Sequence, residues 1–459
     1  MASSSPSLSF TVRKCQPELV TPAIPTPHET KLLSDIDDQE FLRFTYSIIQ
    51  IYRNESSMAN KDSVRVIRQA LAQTLVFYYP FAGRLREGRG RKLMVDCTGE
   101  GVTFVEADAD ITLDQFGDAL QPPFVYSSEF LCDVPDPQEE LTTCPLLLIQ
   151  VTRLKCGGFI VATGWHHTMA DGAGLSQFMN AWAEMARGAR APSIAPVWRR
   201  ELLMARDPPR ITRNHREYEH IEDTKVGTNS HDNLVRRSFF FGPTEIAAIR
   251  RLVPYHLRHC TAFDVITACL WRCRTKALQI EPDEDVRMMC IVNARSRFKP
   301  PLPVGYYGNA FAYPAAITTA GKLCGNPFGY AVELINKVKS EVTEEYMHSV
   351  ADLMVIKGRC MLTTVRSCLV TDLTRARFRD VDFGWGKAVS GAPAIDKAEP
   401  FPAATHIVSY KNPKGEDGLV LPVLLPAEAM NRFLKEMDDL LGNTNQPTGA
   451  GPGFIKSTI

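Results

Sequence analysis

No uninterrupted apolar run in this 459-residue chain approaches the roughly 20 residues needed to cross a bilayer. That argues against a helical membrane span. Net charge is missing too: 52 lysines and arginines meet 52 aspartates and glutamates, so no bulk field favours nucleic acid or an anionic membrane. The 12 cysteines are scattered, with no C-x-x-C pair and no Cys/His ligand spacing, and read as reduced packing residues. Met1 to Phe10 is Ser-rich and lacks a basic stretch followed by a long apolar one, so it does not read as a signal peptide. Ser457-Thr458-Ile459 does not match the S-K-L address. No short-period repeat points to a solenoid or propeller. The expectation is a soluble protein of a reducing compartment: the cytoplasm, or a peroxisome through a non-standard signal.

What is present is organised around Val161 to Gly172, V-A-T-G-W-H-H-T-M-A-D-G. The apolar run Pro145 to Leu154, a turn at Lys155-Cys156-Gly157-Gly158 and the return through Phe159 to Ala162 read as a hairpin whose second strand ends at His166-His167. Beyond Asp171, residues Leu175, Phe178, Met179, Trp182 and Met185 recur at helical spacing, with Asp171 where an N-cap belongs. His167 is therefore expected between a strand end and a helix start. An ordinary imidazole is mostly a free base at neutral pH. Taken alone, H-x-x-x-D is better explained by a buried histidine at a helix start than by catalysis. A zinc reading with His166, His167 and Asp171 fares worse, because adjacent strand residues point to opposite faces.

The chain opens extended and Pro-punctuated, and Phe41 to Tyr52 has strand character. Val64 to Val76 reads as a helix, and Lys92 to Glu106 as a β-ribbon broken at Gly99-Glu100-Gly101. Ala189 to Thr228 is polar and Pro-rich, which suits a connection between domains. The second half reads as a strand over 235–241, helices over 244–252 and 262–277, and a short strand over 288–292. A long helical region over 329–357, a strand near 367–371, and Asp382-Phe383-Gly384-Trp385-Gly386 follow. The class is α/β, with two domains of similar size, each a mixed β-sheet with helices. The division expected is residues 1–195, a crossover linker over 196–228, and 229–459.

His167-x-x-x-Asp171-Gly172 and Asp382-Phe383-Gly384-Trp385-Gly386, about two hundred residues apart, together resemble the paired hallmarks of the BAHD-type plant acyl-CoA-dependent acyltransferases. A kinase reading of D-F-G fails for want of an H-R-D loop or a glycine-rich phosphate loop. The likeness runs from about Phe10 to Leu441. Within the family it is closest to the branch that benzoylates benzyl alcohol and makes fruit esters. L-S-D-I-D-D-Q-E from Leu33, L-V-F-Y-Y-P-F-A-G-R-L-R-E-G from Leu75 and C-P-L-L-L-I-Q-V-T-R-L from Cys144 carry it, with G-Y-Y-G-N-A-F-A from Gly305 and T-E-E-Y-M from Thr343. The chain departs from the pattern at His166 (usually asparagine), at Gly172 (usually alanine), and at Lys387-Ala388 where a proline is frequent.

The resemblance implies a chloramphenicol-acetyltransferase-like fold with a channel between the domains and His167 at its middle. It implies an acyl transfer from acyl-CoA, benzoyl-CoA foremost, to an alcohol, benzyl alcohol foremost, with His167 as general base. Alternatives are an acetyl or aliphatic donor, or a larger alkaloid or phenolic acceptor. Outside this class stand a non-catalytic binding protein of the same fold and a metal hydrolase. No Ser-His-Asp set or G-x-S-x-G elbow suggests a covalent intermediate. Asp382 is carried over with the catalytic residues, although the surrounding glycines read as a loop brace. Asp171 is expected to pair with Arg295, making Asp171, Gly172, Arg295, Gly384, Trp385 and Gly386 structural at the site, with Gly384 and Gly386 permitting close approach to the ligand. Thr371, Trp165 and Thr261 are the expected substrate-binding residues, Thr261 and Arg258 near the coenzyme A phosphates. No bound cofactor, metal, nucleic acid or membrane span is expected, and the chain is expected to be a monomer.

Overall fold

Four strands of the first half set the frame: β1 (Thr45–Tyr52), β2 (Val102–Ala109), β3 (Leu147–Leu154) and β4 (Phe159–His166). In the computed structural model, which describes residues 8–132, 143–221, 233–394, 401 and 403–442, β3 and β4 form the hairpin expected from the sequence. β1 lies antiparallel on the far side of β4, and β2 parallel beside β3. All eight residues of β4 are buried, which is why it reads as an unbroken apolar run rather than an alternation. Helices α1 (Ser63–Phe77) and α2 (Gly172–Ala186) pack together against this sheet, and Trp182 Nε1 of α2 donates 2.8 Å to the Ile67 carbonyl of α1.

The second half contributes β5 (Leu234–Phe241), β6 (Asp285–Cys290), β7 (Ala315–Thr319), β8 (Ser367–Asp372), β9 (Ser390–Pro393), β10 (Ala404–Lys411) and β11 (Asp417–Pro426). Six of them form a second mixed sheet in the order β5-β11-β10-β8-β6-β7, parallel only across β10-β8-β6. Helix α3 (Ala262–Ala277) lies in its core. The helical region over 329–357 is two helices, α4 (Phe328–Glu341) and α5 (Glu344–Lys357). They part where Thr343 caps α5 by accepting from the Tyr346 amide.

One stretch differs from the sequence reading. The Lys92 to Glu106 stretch is not one ribbon. Leu93–Asp96 joins a small sheet with Thr30–Leu32 and Arg84–Glu87, while β2 enters the large one. Gly101, at φ +101°, turns the chain where a Cβ would lie 2.6 Å from the Val20 carbonyl.

The two halves also exchange segments. β9 is the edge strand beside β1, and Phe378, Phe383 and Trp385 join the first core. Ile36, Phe41 and Leu42 join the second. A cut at 195/229 separates these residues from the cores they fill.

The Pro-rich connection, described as far as residue 221, is strapped down. Arg200 is 1 % exposed, and Arg206 pairs with Asp352 and Glu345 of α5. The expectations on residues 1–7, on 222–228 of the linker and on Ser457-Thr458-Ile459 lie outside the described residues. Among the described residues no helix is long and apolar enough to cross a membrane, and no group of acids, histidines and cysteines could hold a metal.

Candidate active site

From Gly158 to Asp171 every residue is buried except His167. Its imidazole is surrounded by protein, yet the residue keeps some accessible surface. The backbone there is fixed at both ends: His167 N donates 2.9 Å to the Phe44 carbonyl, and Asn309 Nδ2 donates 2.8 Å to the His167 carbonyl. Around the ring stand Phe44, Trp165, Tyr46 and Phe311, with centroids 5.4 to 6.2 Å away.

Burial lowers the His167 pKa. Its own backbone carbonyl, Asp171 and Asn309 pull it upward, and His406 lowers it again; the net displacement is downward. His167 Nδ1 and Asn309 Oδ1 are both buried without a hydrogen-bond partner. Neighbouring His166 takes a different role. Its Nδ1 lies 2.6 Å from Thr168 Oγ1, and burial, with His167 and Arg43 adding to it, brings its pKa down to about 3. Both imidazoles are held in the neutral form.

Asp171 caps α2. Its two oxygens accept from Arg295 Nη1 at 2.7 Å and Nη2 at 2.8 Å, from the Gly174 amide at 2.8 Å, and from the Ala310 amide at 3.1 Å. Burial alone would raise its pKa, but Arg295 and the two amides overcome that and hold it below the ordinary carboxylate range. With four donors bound, the carboxylate is committed to the α2–Arg295 junction.

The other expected residues are placed less centrally. Asp382 Oδ1 accepts from the amides of Gly384 and Gly386, and the Asp382 carbonyl accepts from Arg187, the C-cap of α2. This loop packs against Tyr52 and Phe159, at the start of β4, whereas His167 follows its end. About eight residues of extended chain, roughly 25 Å, lie between Phe159, which this loop touches, and His167, so the structure does not bring the loop that Asp382 braces to His167. Gly384 and Gly386 carry φ of +110° and +82°, which the turn requires of them.

Trp165 is 2 % exposed, donates to the Ala170 carbonyl and lies against the His167 ring. Gly172 is not sterically required, since a Cβ there would meet only Leu373 at 3.6 Å. Thr261 caps α3 in a reciprocal pair with Asp264. That carboxylate is itself paired with Lys339. Arg258 is exposed, with its guanidinium over Tyr255. Thr371 is part-exposed on β8, in register with His406 of β10.

Several residues of the site were not foreseen. Gly174 is the glycine the α2 start requires, because a Cβ would come 2.0 Å from the Tyr307 carbonyl oxygen. Asn309 is held by Asp37, whose Oδ1 accepts from both its backbone and its side chain. Arg200 reaches the same Asp37. Tyr46 and His406 meet beside His167. The signals of Asp37 and Asn309 lay inside L-S-D-I-D-D and G-Y-Y-G-N, stretches whose likeness was visible but whose contacts were not; Gly174, Arg200, Tyr46 and His406 lie outside both.

Comparison with known proteins gives a consistent placement. A family model described as the transferase family matches residues 10–440. The chain is 62 % identical over 438 residues to benzyl alcohol O-benzoyltransferase of Nicotiana tabacum, covering 95 % of each. It is 54 % identical to alcohol acyl transferase 1 allele GSa of Malus domestica, covering 93 % of each. The crystal structure of vinorine synthase superposes with a TM-score of 0.70 at 23 % identity, over 92 % of this chain and 96 % of that one.

Proposed function

The chain belongs to the transferase family, as a BAHD-type acyl-CoA-dependent alcohol O-acyltransferase that forms esters, and we propose that it moves a benzoyl group from benzoyl-CoA to benzyl alcohol with His167 as the base. The substrate pair rests on the 62 % identity to a benzyl alcohol O-benzoyltransferase across nearly the whole chain. The part given to His167 rests on its being the one accessible residue in a buried run.

In this reading the alcohol hydroxyl approaches His167 Nε2. The imidazole is neutral at physiological pH because burial lowers its pKa, so it takes the hydroxyl proton as the oxygen attacks the thioester carbonyl. The new ester C–O bond forms, the C–S bond breaks, and the imidazolium returns the proton to the departing sulfur. Asn309 supplies orientation. An Nδ1–H donated to Asn309 Oδ1 would leave the lone pair on Nε2. Such hydrogen bonds commonly tighten only when substrate is bound. Asp171 and Arg295 set the α2 junction behind the base and move no proton.

A competition assay tests the substrate pair. Equal benzoyl-CoA and acetyl-CoA are offered with benzyl alcohol and hexanol, and the esters are resolved by mass. Benzyl benzoate is expected to dominate. The 54 % match to an alcohol acyl transferase supports a second reading, an acetyl or aliphatic donor, which predominance of acetyl or hexyl esters would establish instead.

A further inference from the structure

The wall beside His167 is aromatic except at one point. Phe44 and Tyr46 project from the same face of the chain entering β1, and both keep part of their surface exposed. From the second half of the molecule, His406 on β10 brings Nε2 to 2.7 Å from Tyr46 Oη, with the donor set by the imidazole tautomer. Thr371 on β8 is in register with His406, so both side chains leave that sheet on one face. Tyr46 in turn stands edge-on to His167, with centroids 6.0 Å apart. Polar groups from both sheets thus converge next to the base, and the reaction above uses none of them.

The chemistry of the pair points to what it recognises. A phenol donates one hydrogen bond and accepts two, and a neutral imidazole donates or accepts according to tautomer. Together they can meet a third hydroxyl in either sense. Because they already bond each other, an unsubstituted ring laid against them costs no lost hydrogen bond.

We propose that Tyr46 and His406, with Thr371 beside them, form a subsite for a ring hydroxyl on an aromatic substrate lying against this wall. The proposal rests on the acyl-transfer reading above. It extends that reading from unsubstituted benzyl and benzoyl groups to their ring-hydroxylated counterparts.

Two arms distinguish the hydroxyl's source. In one, 2-, 3- and 4-hydroxybenzyl alcohol are compared with benzyl alcohol at fixed benzoyl-CoA. In the other, hydroxybenzoyl-CoA isomers are compared with benzoyl-CoA at fixed benzyl alcohol. One arm is expected to show a preference of about 2- to 10-fold in kcat/KM, the worth of one neutral hydrogen bond. His406→Phe and Tyr46→Phe should bring that ratio to about one, while His406→Gln, which can still bond Tyr46 Oη, retains most of it. Equal kcat/KM in both arms, or a preference untouched by both phenylalanine variants, overturns the subsite. Failure of the parent enzyme to benzoylate any alcohol, benzyl alcohol included, overturns the acyl-transfer reading itself.

Discussion

At the scale of single residues, burial decides the chemistry. His166 and His167 both have depressed pKa values in the folded chain. An unfolded histidine titrates near 6.5, so below that pH the unfolded state binds protons that the folded state refuses. Stability is therefore full above about pH 6.5 and falls as pH drops toward about 3, the value for His166. The slope approaches about 1.4 kcal/mol per pH unit for one fully depressed group. Denaturant melts between pH 7 and 5 check this, and His166→Asn should flatten the decline. The same depression of His167 should put the acid limb of kcat/KM below pH 6.5; a midpoint above 7 would contradict a buried neutral base. Two glycines offer a steric contrast. Gly172→Ala should be nearly neutral, whereas Gly174→Ala should cost about 1–3 kcal/mol or more, because its Cβ meets backbone that cannot yield. The sequence drew attention to Gly172 through its motif position. The contact that constrains Gly174 comes from Tyr307, 133 residues away in the chain, and no local pattern announces it.

At the scale of elements, local physics made much of the fold readable. The turn of β3–β4, the Asp171 cap and the 3.6-residue stripe of α2 all act within a few residues of one another, and each appears where the sequence places it. The D-F-G-W-G loop shows the limit. Its glycines signal a turn, but nothing local says that the loop lies at the start of β4, remote from His167. Asp382→Ala removes the acceptor for two amides and is expected to cost about 1–3 kcal/mol of stability. The kcat/KM of the folded fraction should stay near the parent value. Thermal melts paired with kinetics separate the two effects, and a folded Asp382→Ala enzyme with kcat/KM reduced a hundredfold would return Asp382 to the chemistry.

At the scale of the whole molecule, the acids of L-S-D-I-D-D tie the two halves around His167. Asp35 binds Lys92 and the Ala205 amide, Asp37 holds Asn309 and Arg200, and Asp38 pairs with Arg43 and Arg359. Three acids in four positions look like a solvated run in sequence, since only the tertiary fold brings their partners. Asp171 and Arg295 make the matching tie behind α2. Asp171→Asn leaves a guanidinium facing a neutral amide and should cost about 3–5 kcal/mol, read as a lowered urea midpoint. An unchanged midpoint would show that the pair carries little of the junction.

The central claim is that a single neutral imidazole takes the acceptor's proton. The most direct test is single-turnover thiol release from benzoyl-CoA and benzyl alcohol by His167→Ala, with melting temperature and benzoyl-CoA affinity measured on the same preparation. The account predicts a rate lower by about 10²–10⁴ with both controls unchanged. A folded variant that binds benzoyl-CoA normally and releases thiol within threefold of the parent rate would contradict it.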